Sequence, residues 1–212
     1  MKKVYLVRHG QTEWNKKLTF RGRIDIPLNE DGHREAEALA EALKDKDIDA
    51  IYTSPLRRSI DTAQPTAKHF HLHIVPVGGL IDISYGDWEG LTFKEVKEKY
   101  KDLYGQWEKR PDLVRFPHGE TLDEVRDRSF SAFKGIVKEN PGQSILVIPH
   151  RVVNKVLLCA VLGLSNSHFW EIKQDTGCVN VIEYSNDRFV VSMMNDTCHL
   201  KGIADQTVQP DF

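Results

Sequence analysis

Residues 2–15, KKVYLVRHGQTEWN, hold the stretch that decides this fold. Val4 to Val7 is a run of apolar and aromatic residues, as expected of a strand buried on both faces in a parallel sheet. It passes without a spacer into Arg8, His9 and Gly10. Such a strand delivers its cation and imidazole either to solvent or to a shared site. That tripeptide alone does not choose between them.

Working outward, short apolar runs alternate with helical patterns. Glu35-Ala36, Leu39-Ala40 and Leu43 recur at helical spacing after a start at Asp31-Gly32. Residues 48–53 read as a second strand, followed by Ser54-Pro55 and a helix through Ile60 and Ala63. Residues 74–77 and 144–148 read as further strands, and residues 152–162 as a helix closed by Gly163. Residues 179–184 and 189–193 flank Asn186-Asp187, a hairpin signal. Alternation of this kind predicts an α/β fold around a mostly parallel sheet. Residues 93–139 are charged, carry Tyr100, Tyr104 and Trp107, and are broken by Pro111 and Pro117. They read as a helical insertion at one end of the sheet, placed to cover a site, with a Thr121/Glu124 capping box inside it. Trp88, Tyr104 and Trp107 read as packing residues. The 212 residues suit one domain.

Composition narrows the partners. With 40% hydrophobic and 28% charged residues and a net charge of -2, the chain gives no electrostatic case for nucleic acid or an anionic membrane. No apolar run approaches the roughly 18 residues of a membrane span. The apolar stretch after Met1-Lys2-Lys3 is too short for a signal peptide, so a cytoplasmic location is expected. Cys159, Cys178 and Cys198 form no CxxC pair and suit reduced thiols. His69, His71 and His73 alternate; on a strand they share one face, with Phe70, Leu72 and Ile74 turned inward. The plain reading of that face is solvation, not a metal site.

The pattern that carries chemistry is a repeated coincidence. The strand at 4–7 ends in Arg8-His9, the one at 48–53 leads to SPLRR with Arg57 and Arg58, and the one at 144–148 ends in Pro149-His150-Arg151. In open α/β sheets ligands bind at the carboxyl ends of strands, beside helix N-termini. Converged there, arginine forks and helix N-H groups suit a phosphate. A histidine among those cations is held neutral and can act as a nucleophile. There is no Walker glycine loop and no Asp/Glu cluster shaped for magnesium, so no cofactor or metal is expected.

With LVRHGQTEWN, GRIDIPLNEDG, YTSPLRRSIDTA, ISYGDWEGLT, HGETLDEV and VIPHRVV in order, nearly the whole chain resembles the histidine phosphatase superfamily, the phosphoglycerate mutase-like group. The resemblance implies a three-layer α/β/α sandwich with a mostly parallel central sheet and a metal-independent phosphomonoesterase. It implies His9 as the nucleophile, Arg8, Arg58 and His150 as the phosphate pocket, and Asp82 as proton donor. Asn15, Arg21, Gly22 and Arg151 are implied or candidate substrate contacts. The substrate is then a small phosphorylated metabolite. The compact length and the ending MMNDTCHL look most like metal-independent phosphoserine phosphatases, with α-ribazole phosphatases close behind. In the phosphoserine branch the chain end from Lys201 to Phe212 is expected to help form the pocket, which makes His199 a substrate-contact candidate. Related compact members often form homodimers.

Several positions depart from the family pattern. Asp82 stands for the usual glutamate, Arg151 for a small residue, Arg21 for a glutamine, and Tyr85 where the phosphoserine branch tends to carry histidine. Arg21, Arg23 and Arg151 read either as grips for a second substrate charge or as surface charge paired with Asp25, Glu30 and Asp31. The rival functions are mutase-type phosphoryl transfer and, in another class, a catalytically weakened phosphate-binding or regulatory protein.

Overall fold

A computed structural model describes residues 2–203. One six-stranded sheet is formed by β1 (Lys2–Val7), β2 (Ala50–Thr53), β3 (Ile74–Pro76), β4 (Ile145–Ile148), β5 (Val179–Ser185) and β6 (Arg188–Asp196). Its order is β3-β2-β4-β1-β5-β6. β1 to β4 pair in parallel, β5 runs antiparallel to β1, and β6 antiparallel to β5. The helices are α1 (Glu13–Lys16), α2 (Glu30–Leu43), α3 (Arg57–Phe70), α4 (Phe93–Lys99), α5 (Lys101–Lys109), α6 (Leu122–Glu139) and α7 (Arg151–Leu162).

The three layers follow from strand alternation. Val4, Leu6, Ile145 and Val147 share one core with Phe133, Ile136 and Val137 of α6 and Val153, Val156, Leu157 and Leu158 of α7. Tyr5, Val7, Leu146 and Ile148 face the other way, onto Leu39 and Leu43 of α2 and Ala63 and Ala67 of α3. Fully burying such a side chain is worth about 1.5–3 kcal/mol, so both faces hold the sheet in register. Pro76 lies in β3 at the sheet edge, where a missing N-H costs least. Asn186 and Asp187 both take positive φ, 49° and 58°, as a two-residue turn between β5 and β6 requires.

Two local readings change. Residues 69–73 are not a strand: His69 lies in the last turn of α3, His71 ends that helix in the left-handed region (φ 54°), and His73 precedes β3. The buried face of α3 is small and partly hydroxylic (Ser59, Thr62, Ala63, Thr66, Ala67). Phe70, Leu72 and Ile74 still pack inward. Within residues 93–139, α6 is one of the layers covering the sheet, while α4 and α5 form the excursion.

The excursion closes on aromatic rings. Trp88 meets Phe20 and Phe116 edge-on, at 5.1 and 4.9 Å between centroids, and Phe116 meets Tyr85 and Trp107. Trp88 and Trp107 are fully buried. These contacts tie the excursion to the loop that follows α1. Among the described residues no helix is long and apolar enough to cross a membrane.

Candidate active site

β4 lies between β1 and β2, so the three strand ends that carry cations are neighbours. His9 stands just past β1. Arg58 is in the first turn of α3, His150 is the N-cap of α7, and Arg151 opens that helix. Two helix N-termini therefore face the place where the imidazoles meet, and helix N-termini favour anions.

His9 is fully buried. Its Nδ1 donates to the Gly10 carbonyl at 2.7 Å, which leaves a lone pair on Nε2. That Nε2 has no hydrogen-bond partner among the described residues. Burial, then the charges of Arg58, Arg21 and Arg8, hold its pKa well below the ordinary histidine value, so the ring is neutral. The His150 ring meets it edge-on at 5.1 Å. His150 accepts from Arg58 Nε at Nδ1 (3.2 Å) and donates from Nε2 to Ser54 Oγ (2.7 Å). Burial, Arg58 and His9 push its pKa down as well.

Arg58, also fully buried, donates to the carbonyls of Ile24 (2.9 Å) and Gly22 (2.8 Å) and to Asp82 Oδ2 (3.1 Å). Asp82 is 5% exposed; its Oδ1 takes the Ile83 amide and its Oδ2 stands 3.5 Å from His150 Nδ1. Arg8 Nη1 donates to the Gln174 carbonyl at 2.6 Å. Gly22 holds φ +52°, and a Cβ there would come within 2.1 Å of the Glu89 carboxylate.

A cleft opens beside these groups, lined by Asn15, Arg21, Gly22, Asp82, Tyr85 and Arg151, with Trp14, Leu18, Phe20 and Phe93 as its apolar wall. Asn15 is oriented by Thr12, whose N-H and hydroxyl both donate to its Oδ1. Burial and the charges of Arg8 and Arg58 depress the pKa of Arg21, opposed by Asp82. A guanidinium does not give up its proton, so this crowding is a demand for an anion. Tyr85 is buried and hydrogen-bonded to Arg151, and burial pushes its phenol up.

Nine of the ten candidate residues thus converge. His199 does not: it is half-buried on the one-turn segment Cys198–Leu200 against α2 and is outside the cleft lining. The chain end proposed to shape the pocket lies, from 204 onward, outside the described residues. Arg23 is in neither role read for it, since it pairs with Glu120 at 2.9 Å; Asp31 pairs with Lys16 and Arg34.

The supporting residues were missed by sequence reasoning. Thr62 takes the Gly10 N-H and donates to the Arg58 carbonyl. Glu35, 2% exposed, accepts the Gln11 N-H at 2.7 Å, with burial pushing its pKa up. Glu35 did leave a signal, a carboxylate on the apolar stripe of α2. Ser54 and Thr62 left none beyond their polarity.

A sequence profile described as the histidine phosphatase superfamily, branch 1, matches residues 4–197. Phosphoserine phosphatase 1 of Hydrogenobacter thermophilus is 35% identical over 200 residues, covering 94% of this chain and 95% of the relative. The metal-independent phosphoserine phosphatase of Arabidopsis thaliana is 31% identical, covering 94% and 84%. Among solved structures, Bacillus stearothermophilus YhfR superposes with a TM-score of 0.90 at 31% identity, covering 94% of this chain and all of that one (100%). The chain belongs to the histidine phosphatase superfamily, branch 1.

Proposed function

We propose that this phosphatase hydrolyses a small phosphomonoester through a phosphohistidine on His9, without a metal ion, and that its substrate carries a second anionic group. The observation that carries the reading is the Nε2 lone pair of a neutral, fully buried His9 beside Arg8, Arg21 and Arg58. Nε2 attacks phosphorus. The P–O bond to the leaving group breaks, and Asp82, in its acid form, protonates the departing oxygen. Asp82 as carboxylate then takes a proton from water, whose oxygen attacks the phosphohistidine and releases inorganic phosphate and His9. Arg8, Arg58 and Asn15 hold the transferring oxygens, with His150 and the Gly22 carbonyl fixing Arg58. Guanidinium N-H groups supply the stabilisation that metal ions give elsewhere.

Arg21 and Arg151 supply cationic contacts beyond the transferred group, which suits a phosphorylated carboxylic acid. Phosphoserine is the first compound to test, because two relatives are named for it. The experiment is a phosphate-release screen in EDTA over phosphoserine, phosphoglycerates and uncharged alkyl phosphates. Release from the acids with metal chelated, lost in His9→Ala and with KM raised for the acids alone in Arg151→Ala, supports the reading. Strict dependence on magnesium overturns the chemistry, and equal KM effects on charged and uncharged esters overturn the second-anion contact.

A further inference from the structure

We propose that Glu120 and Arg128 are positioning residues for proton transfer: they hold the backbone that carries Asp82 and so set where its carboxyl sits against the leaving oxygen. This rests on the reading of Asp82 as proton donor. Asp82 lies on an irregular segment, with no strand or α-helix of its own to fix it. Arg128, on α6, donates to the carbonyls of Gly79 (3.0 Å), Ile81 (2.7 Å) and Asp82 itself (3.0 Å). The same guanidinium grips Glu120 in two-pronged fashion, at 2.9 and 3.0 Å. Glu120 in turn accepts the Ser84 amide at 2.9 Å, so the segment is tied on both sides of Asp82.

A third member couples this clamp to the phosphate pocket. Arg23 donates to Glu120 (2.9 Å) and to the Asp82 carbonyl (3.3 Å), and it follows Gly22, whose carbonyl receives Arg58. Burial works against the charge of Glu120. Its bonds from Arg128 and the Ser84 amide, with the charges of Arg128 and Arg23, outweigh that and keep it ionised. A planar fork that satisfies three carbonyls and a carboxylate cannot be replaced by the point charge of lysine.

The arrangement has a consequence that a merely structural role lacks. An aryl ester such as p-nitrophenyl phosphate expels a stable anion and needs little protonation. An alkyl ester such as glycerol phosphate needs the acid. A catalytic group displaced by about 1 Å costs on the order of 100-fold. The test compares kcat/KM, which counts only steps up to departure of the first product, for both esters in Arg128→Ala, Arg128→Lys, Glu120→Gln and Asp82→Asn. Because each ratio is taken on one preparation, a fraction of unfolded protein cancels. We expect the alkyl ester to lose about 10- to 100-fold more than the aryl ester in Arg128→Ala and Arg128→Lys, less in Glu120→Gln, and most in Asp82→Asn. Equal losses on both esters in the Arg128 and Glu120 variants, with Asp82→Asn still discriminating, overturn the clamp and leave Asp82 as the acid. Equal losses in Asp82→Asn as well overturn both.

Discussion

At the scale of single residues the chemistry turns on protonation. His9 and His150 are buried with their pKa values pushed down, so in the folded chain they stay neutral where an exposed histidine, near 6.5, takes a proton. The acid limb of kcat/KM assigned to His9 is therefore expected below pH 6.5, read from a pH-rate profile on the free enzyme. The same shifts act on stability. Below about pH 6.5 the unfolded chain binds protons that the folded chain refuses, so the contribution of these two residues is full above 6.5 and falls as pH drops beneath it. Urea titrations between pH 7.5 and 5 should show that decline, and it should be shallower in His9→Asn. The short acid gives a third expectation. Both Asp82 oxygens already have partners, at 3.0 and 3.1 Å, so one more methylene must displace Arg58 or the Ile83 amide. Asp82→Glu should lower kcat for alkyl esters, and a rise would show that reach limits the native enzyme.

At the scale of elements, close backbone approaches fix the site. Gly32 in the first turn of α2 packs on the loop after His9, and a Cβ there would lie 2.1 Å from the Gln11 carbonyl. Gly32→Ala should cost about 1–3 kcal/mol by thermal denaturation and lower kcat, because relief of the clash moves the Gln11 backbone. Gly86 is tighter still: φ is +55° and its Cβ would meet the Pro117 carbonyl at 1.9 Å. Strands β1 and β4, the hairpin and α7 were legible because their apolar runs and turn residues agree with one another. The three-histidine stretch was misread because His69, His71 and His73 alternate with Phe70, Leu72 and Ile74 as on a strand, although α3 runs on to Phe70 and only residues 74–76 are extended. The role of α6 was hidden for another reason. Its capping box and Phe130-Phe133 period announce a helix, but nothing local says which layer it joins.

At the scale of the whole molecule, the sequence announced three cation-bearing strand ends, and the strand order made them one site. With β4 between β1 and β2, His150 falls between His9 and Arg58; no local pattern states that order. The supporting bonds were illegible for the same reason: Gly10 to Thr62 and Arg128 to Asp82 join residues far apart in sequence. An assembled cationic pocket should also be stabilised by its anion. Orthovanadate at about 100 times its Kd contributes about 2.7 kcal/mol, or about 5–10 °C in Tm for a chain of this size, and Arg58→Ala should abolish the shift. The most direct test of the central claim is to locate the phosphoryl group itself. The Asp82→Asn protein, mixed with an aryl phosphate in EDTA and quenched in alkali, is expected to carry phosphate on His9, at Nε2 by phosphorus NMR, stable in base and lost in acid. Label on any other residue, or continued turnover by His9→Ala, would contradict the account.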